Sequence, residues 1–129
     1  MNVERILHLA DVIEEHPEWF EMSLFGTTKG GRPIDSLYDT RRFVSALNQC
    51  GTTGCIAGLA CWLWQKEAIA ACEQDVELAA RLILGLGDTA PFYYCSWPRN
   101  YYARFTEAAT QAEKAAVAVA YLRHLARSA

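Results

Sequence analysis

Two cysteines flank a glycine-rich turn at the start of a predicted helix, in the order Cys50-Gly51-Thr52-Thr53-Gly54-Cys55. Unpaired backbone N–H groups and the helix dipole at such a position stabilise a thiolate, which is how cysteine nucleophiles are prepared. Cys55 and Cys50 are therefore the candidate catalytic residues of a thiol-dependent enzyme or redox protein. The interpretation we favour is structural, because free cysteine is among the most buried residue types.

The same two thiols also have a spacing that zinc ligands use. A second close pair is missing from the sequence, since Cys61 and Cys72 are far apart on a continuous helix and Cys95 is isolated. No lysine follows Gly51 and Gly54, as a phosphate-binding loop of the Walker type would require. We therefore predict no metal site and no cofactor.

A cysteine nucleophile usually needs a histidine as its base, and the chain offers His8, His16 and His124. All of them lie in or beside predicted helices, and spacing does not show whether any folds near Cys55. Because no complete catalytic constellation can be assembled from the sequence, a non-enzyme is favoured and thiol catalysis is kept as the alternative.

The segment 96–105 interleaves arginines with aromatic rings. Protein interfaces favour tryptophan, tyrosine and arginine, and single-stranded nucleic acids stack on similar rings. The formal net charge of −3 disfavours nucleic acid. Core packing, a protein-binding surface and a nucleic-acid surface stay open for these rings, in that order. The candidate binding residues are Trp97, Arg99, Tyr101, Tyr102 and Arg104.

Length and composition indicate one soluble domain. With 129 residues, 52% of them hydrophobic, the chain suits one core, and residues 1–129 are predicted to form a single helical domain. The longest apolar run, Cys55 to Trp64, is too short for a membrane span, and the charged N-terminus lacks the apolar core of a signal peptide. An odd number of cysteines without a secretion signal indicates reduced thiols. We expect a cytoplasmic protein.

The elements that must position these residues begin with a helix over about 2–15, which Pro17 ends. Large apolar residues that alternate with smaller ones indicate a short extended segment over 20–25. The turn-forming residues of 26–39 predict a flexible loop, and a further short helix is predicted over 39–47.

The fold class is predicted to be all-α, with about five helices packed around one buried helix. That central helix runs over about 54–65, capped by Thr52 or Thr53, and its first half is apolar on every side. An amphipathic helix beginning near Val76 stops at Gly85.

The remaining part is predicted to contain an aromatic-rich irregular segment and a C-terminal helix. Two prolines interrupt the irregular segment, 88–105. Thr110 opens the helix through a capping box, and the helix continues to about Arg127. Its predicted inward-facing residues are Ala112, Ala116, Val119 and either Tyr121 or Leu122.

Four pieces of the chain, in order, resemble a family of small uncharacterised proteins encoded in bacterial and phage genomes. They are Phe20-Glu21-Met22-Ser23, then Cys50-Gly51-Thr52-Thr53-Gly54-Cys55-Ile56-Ala57-Gly58-Leu59-Ala60, then Leu84-Gly85-Leu86, then Trp97-Pro98 followed by the helix that Thr110 caps. The second piece is the distinctive one, although Gly54 stands where the family usually has alanine and the 26–39 loop is long. The resemblance implies a shared fold and a phage or prophage origin, and it supplies no catalytic residues.

The sequence thus predicts a small intracellular, non-enzymatic binding module. It would act on a protein partner through segment 96–105 and the 26–39 loop, as a phage or prophage accessory protein. The alternative is a thiol-dependent enzyme or redox protein that uses Cys55 or Cys50. Nucleic acid and membranes are not expected as partners, and the oligomeric state is left open.

Overall fold

A computed structural model describes residues 1–20, 26–27, 33–34, 53–71 and 76–128 of the chain. Helices dominate these parts, and the prediction of an all-α fold is confirmed. The helices are α1 (Val3–Glu15), α2 (Ile56–Leu63), α3 (Gln65–Ala71), α4 (Val76–Leu84), α5 (Arg99–Glu107) and α6 (Gln111–Arg127). Three two-residue strands are β1 (Gly26–Thr27), β2 (Pro33–Ile34) and β3 (Thr53–Gly54), and they pair antiparallel in the order β2-β1-β3.

Several predicted features fall largely outside the described residues. Of the extended segment predicted over 20–25, Phe20 is described, and its backbone is extended. The loop predicted over 26–39 contributes β1 and β2, and its other residues lie outside. So do the helix predicted over 39–47 and Cys50.

Helix α1 has the bounds that its apolar spacing predicts. The Asn2 side chain accepts a hydrogen bond from the Arg5 N–H at 3.1 Å, which caps the first turn. Pro17 disfavours helical geometry in His16, whose φ of −131° and ψ of 65° end the helix. The buried face of α1 consists of Ile6, Leu9, Ala10 and Ile13.

Helix α2 is the central buried helix that the sequence predicts. Every residue from Ile56 to Cys61 is buried, and α1, α3 and α4 pack against the helix. It begins two residues later than predicted, because Cys55 itself is the N-cap. The prediction that Thr52 or Thr53 is the N-cap is therefore wrong. Thr53 lies in β3, and Thr52 lies outside the described residues.

Helix α4 ends as predicted, at a glycine in the left-handed region. Gly85 has a φ of +66°, a conformation that side-chain-bearing residues rarely adopt. A Cβ at this position would also lie 3.0 Å from the backbone nitrogen of Asn2. The close approach lets the Asn2 N–H donate to the Leu84 carbonyl at 2.8 Å, which ties the N-terminus to α4.

The segment predicted to be irregular, 88–105, is irregular in its first part alone. It holds two 3-10 turns, Ala90–Phe92 and Tyr94–Ser96, and is then helical from Arg99 as α5. The prediction is wrong for residues 99–105, because Pro98 does not break this helix. Proline is tolerated at a helix start, and Pro98 is the N-cap of α5.

Helix α6 begins with the predicted cap, and its predicted inward face is confirmed for Val119, Tyr121 and Leu122 but is wrong in the first half of the helix. Thr110 Oγ1 accepts from the Glu113 N–H at 3.1 Å, and the Glu113 carboxylate accepts from the Ala109 N–H. Ala112 and Ala116, predicted to face the core, are exposed. The buried face is Ala115, Val117, Ala118, Val119, Tyr121, Leu122 and Ala126.

Helix α6 packs most extensively against α1, and charged side chains join the two helices at their edge. The Arg123 guanidinium donates to both oxygens of Glu14, at 2.9 and 3.0 Å, and to Asp11 at 3.0 Å. This bidentate geometry holds the two helices in register.

Candidate functional site

Cys55 lies at the start of the central helix and is sealed from solvent. Its side chain is 4% exposed, and its Sγ accepts a hydrogen bond from the Gly58 N–H at 3.4 Å. That bond favours the thiolate, but burial has the larger effect and raises the pKa of Cys55 to about 11. The thiol is therefore protonated near neutral pH, and its role in the described structure is to cap α2.

Each of the three histidines contacts an aromatic ring. His8 lies edge-on to Trp64 at 5.9 Å between ring centroids, and His16 stacks on Trp19 at 3.8 Å. His124 lies 5.4 Å from the ring of Tyr101. Within the described ranges, no histidine is hydrogen-bonded to Cys55, so the pair of nucleophile and base that thiol catalysis needs is not assembled there.

The other cysteines do not form a cluster with Cys55 in the described part of the chain. Cys61 is buried within α2, and Cys95 is exposed in a 3-10 turn. Cys50 and Cys72 lie outside the described residues. Among the residues that are described, no group of three His, Cys, Asp or Glu side chains is placed to hold a metal ion.

Two of the five predicted binding residues belong to the core. Trp97 is 4% exposed, and its indole N–H donates to the Pro91 carbonyl at 2.9 Å. The ring stacks on Tyr121 with 4.6 Å between centroids, and Tyr121 also meets the buried Tyr101. The prediction that Trp97 and Tyr101 are surface contact residues is therefore wrong, because neighbouring rings cover both side chains.

The other three predicted binding residues, Arg99, Tyr102 and Arg104, are exposed. The Tyr102 ring is 41% exposed and lies parallel to that of Tyr94, which is 37% exposed, with 6.0 Å between centroids. Arg99 precedes Tyr102 by three residues on α5, so their side chains neighbour each other on the helix. We call Arg99, Tyr94 and Tyr102 the tyrosine surface. Arg104 instead covers the ring of Tyr101, at 5.8 Å.

Sequence reasoning missed the contribution of the residues just before segment 96–105. Tyr94 extends the tyrosine surface, while the Tyr93 hydroxyl is hydrogen-bonded to the Glu77 carboxylate on α4. The Tyr93-Tyr94 pair was visible as part of an aromatic-rich stretch. The exposure of these two tyrosines depends on the 3-10 turn Tyr94–Ser96, and the sequence pattern did not predict this turn.

A groove between α1 and α6 was also missed. It is lined by the buried side chains of Ile13, Ala115 and Val119, by the exposed alanines Ala112 and Ala116, and by Arg123. The groove has a volume of about 200 Å³ and adjoins a second depression of about 330 Å³, with which it shares Pro17 and Ala112. We call these two depressions together the α1–α6 groove.

Carboxylates stand along the α1 side of this groove. The hydrogen-bonded Arg123 guanidinium holds the pKa of Glu14 below its ordinary value, so Glu14 stays ionised at neutral pH. Glu18, in the 3-10 turn that follows α1, adds a second carboxylate, which lines the second depression. The groove thus combines an apolar floor with an acidic rim.

None of the helices in the described parts of the chain is long and apolar enough to cross a bilayer. Comparison with known protein families, with curated proteins and with solved structures gives no match for this chain. The function must therefore be argued from the chain's own surfaces.

Proposed function

We propose that this chain is a binding module for a protein partner, which it contacts through the tyrosine surface. The observation that carries the proposal is the exposure of two stacked tyrosines, Tyr94 and Tyr102, beside an exposed arginine. Tyrosine and arginine are enriched among the residues that dominate binding energy in protein interfaces. Large rings that remain exposed to water on a folded chain lose the free energy that burial would give them.

The packing beneath the tyrosine surface makes it suitable for binding. The Tyr94 ring stacks on Tyr102 and on the buried Phe105, whose ring centroid is 4.8 Å away. A ring that already packs against two others has less rotamer freedom to lose when a partner binds, so less of the contact energy is spent on ordering it. Arg99 adds a guanidinium, which can donate hydrogen bonds to a carboxylate or a carbonyl of the partner.

The proposal keeps the protein partner that the sequence predicts and narrows the surface. Arg99 and Tyr102 remain contact residues, Tyr94 is added, and Trp97 and Tyr101 support them from below. From the resemblance described above, we extend the proposal to an accessory protein of phage or prophage origin. The alternative, a thiol-dependent enzyme or redox protein, gains no support from Cys55, and Cys50 lies outside the described residues.

Site-directed photo-crosslinking tests the proposal. A benzoylphenylalanine replaces Tyr102, and in a matched control it replaces Leu82, which is 52% exposed on α4. In lysate of a bacterial host, we expect the Tyr102 probe to give a discrete cross-linked protein that excess unlabelled chain removes. An Arg99→Glu competitor should remove it far less well. Equal labelling from both positions, or no difference between the competitors, would contradict the proposal.

A further inference from the structure

The second surface that stands out is the α1–α6 groove, where the residues that the structure describes leave an apolar strip of α6 uncovered. Helix α6 carries alanines at Ala112, Ala116 and Ala120, four residues apart and therefore on one face. The first two are exposed, although the sequence pattern favours burying them. α1 covers the neighbouring face of α6 instead, so the helix has more apolar surface than the described core uses.

The dimensions of this strip suit a helix. From Ala112 to Arg123, α6 rises about 17 Å, or roughly three turns. Small side chains let a second helix approach closely, with its larger side chains seated between the alanines. The depressions of about 200 and 330 Å³ provide room for such side chains.

The charged side chains that line the groove indicate which kind of helix would bind there. The carboxylates that line the groove, those of Glu14 and Glu18, are 59% and 64% exposed, against one guanidinium, that of Arg123. Two negative charges and one positive charge give this lining a net charge of −1, and Asp11 on α1 adds a third carboxylate beside Arg123. An occupant with lysine or arginine beside its apolar face is complementary to this rim, whereas an acidic occupant is repelled.

We propose that the α1–α6 groove binds a basic amphipathic helix of a protein partner, with the apolar face of that helix against Ala112 and Ala116. This site is separate from the tyrosine surface and does not depend on it. A partner that carried both a basic helix and a contact for the tyrosine surface would be held at two places.

Fluorescence anisotropy with two labelled peptides tests this site on the full chain. Each peptide is about four helical turns long, with leucine and alanine on one face. The other face carries lysine in the first peptide and glutamate in the second. We expect the lysine peptide to bind roughly tenfold or more tightly than the glutamate peptide, and to weaken as salt is added. Equal binding of both peptides, or no binding of either, would overturn the proposal.

Matched variants locate the binding. Ala116→Gln fills the wall of the groove and should weaken the lysine peptide roughly tenfold, while Ala70→Gln, an exposed alanine of α3, should leave it unchanged. Glu18→Gln should weaken it a few-fold, unlike Glu107→Gln on α5. Ala112→Gln repeats the steric test if Ala116→Gln alters the thermal melt. A peptide that binds all these variants like the native chain sits elsewhere, and the proposal is then wrong.

Two further measurements show whether the groove acts independently of the tyrosine surface and whether a second copy of the chain fills it. Arg99→Glu, which disables the tyrosine surface, should bind the lysine peptide as the native chain does, so the two proposals can fail independently. Sedimentation velocity of the native chain and of Ala116→Gln checks for self-association through the groove. A dimer that Ala116→Gln dissociates would make a second copy the occupant and would overturn the basic helix.

Discussion

Two groups of aromatic rings in the C-terminal half of the chain have opposite environments although they are neighbours in sequence. Trp97, Tyr101 and Tyr121 form a buried ring cluster, whereas Tyr94 and Tyr102 stack on the outside. Phe105 joins the groups, because its ring lies 5.3 Å from Trp97 and 4.8 Å from Tyr94.

This contrast shows that residue type does not decide the role of a ring in this segment. The buried rings gain free energy from leaving water and from packing against one another. The exposed rings gain less of this free energy in the free chain, and we propose that they gain more of it on contact with a partner. The buried ring cluster is thus the rigid base on which the tyrosine surface rests.

The largest expected effect is the loss of the buried indole. Trp97→Ala should lower the free energy of unfolding by about 3 to 5 kcal/mol, since it opens a cavity and leaves the Pro91 carbonyl without its donor. Urea denaturation followed by circular dichroism measures this. Tyr102→Ala in the same segment is the matched control. A Trp97→Ala midpoint equal to that of the native chain would mean that the ring is not part of the core.

Cysteine repeats the same contrast between interior and surface, with Cys55 buried and Cys95 exposed. Because burial raises the pKa of Cys55 from its ordinary value of 9.0 to about 11, the unfolded chain releases this proton first as the pH rises. The stability due to Cys55 is complete below pH 9 and is lost between pH 9 and 11. We expect the native chain to lose about 2 kcal/mol more than Cys55→Ser by pH 11.

The measurement is the free energy of unfolding at several pH values in this window. Serine keeps an acceptor for the Gly58 N–H but does not titrate there. Burial also raises the pKa of Tyr121, but that residue is present in both chains and cancels in the difference. Parallel curves for Cys55→Ser and the native chain would show that Cys55 is not buried as the structure has it.

Sequence patterns predicted two kinds of helix: amphipathic helices such as α1 and α4, and the helix α2, whose first half is apolar on every side. α1 and α4 alternate large apolar with charged residues, and their ends carry strong signals in Pro17 and Gly85. In α6, the Thr110 cap was clear, but the inward face was not. Alanine fits both core and surface, so packing against α1 decided that Ala115 is buried and Ala116 exposed.

The parts of the candidate site that could not be predicted depend on contacts between elements. Trp97 is buried because a turn brings the Pro91 carbonyl to its indole N–H, and composition does not encode that distance. The α1–α6 groove exists because two helices leave space between them, which no single helix pattern shows. Cys55 was found as a residue at a helix start, but its burial, which removes the catalytic interpretation, is a property of the packed core.

The smallest expected effect on stability is at the tyrosine surface. Tyr102→Ser should lower the free energy of unfolding by about 1 kcal/mol or less, because Tyr102 is 41% exposed and the ring contact it would lose is the stack on Tyr94. The same substitution should abolish capture of the partner cross-linked from position 94, where the probe replaces Tyr94. A large loss of stability would mean that Tyr102 belongs to the buried ring cluster. The distinction between a buried and an exposed group of rings would then be wrong.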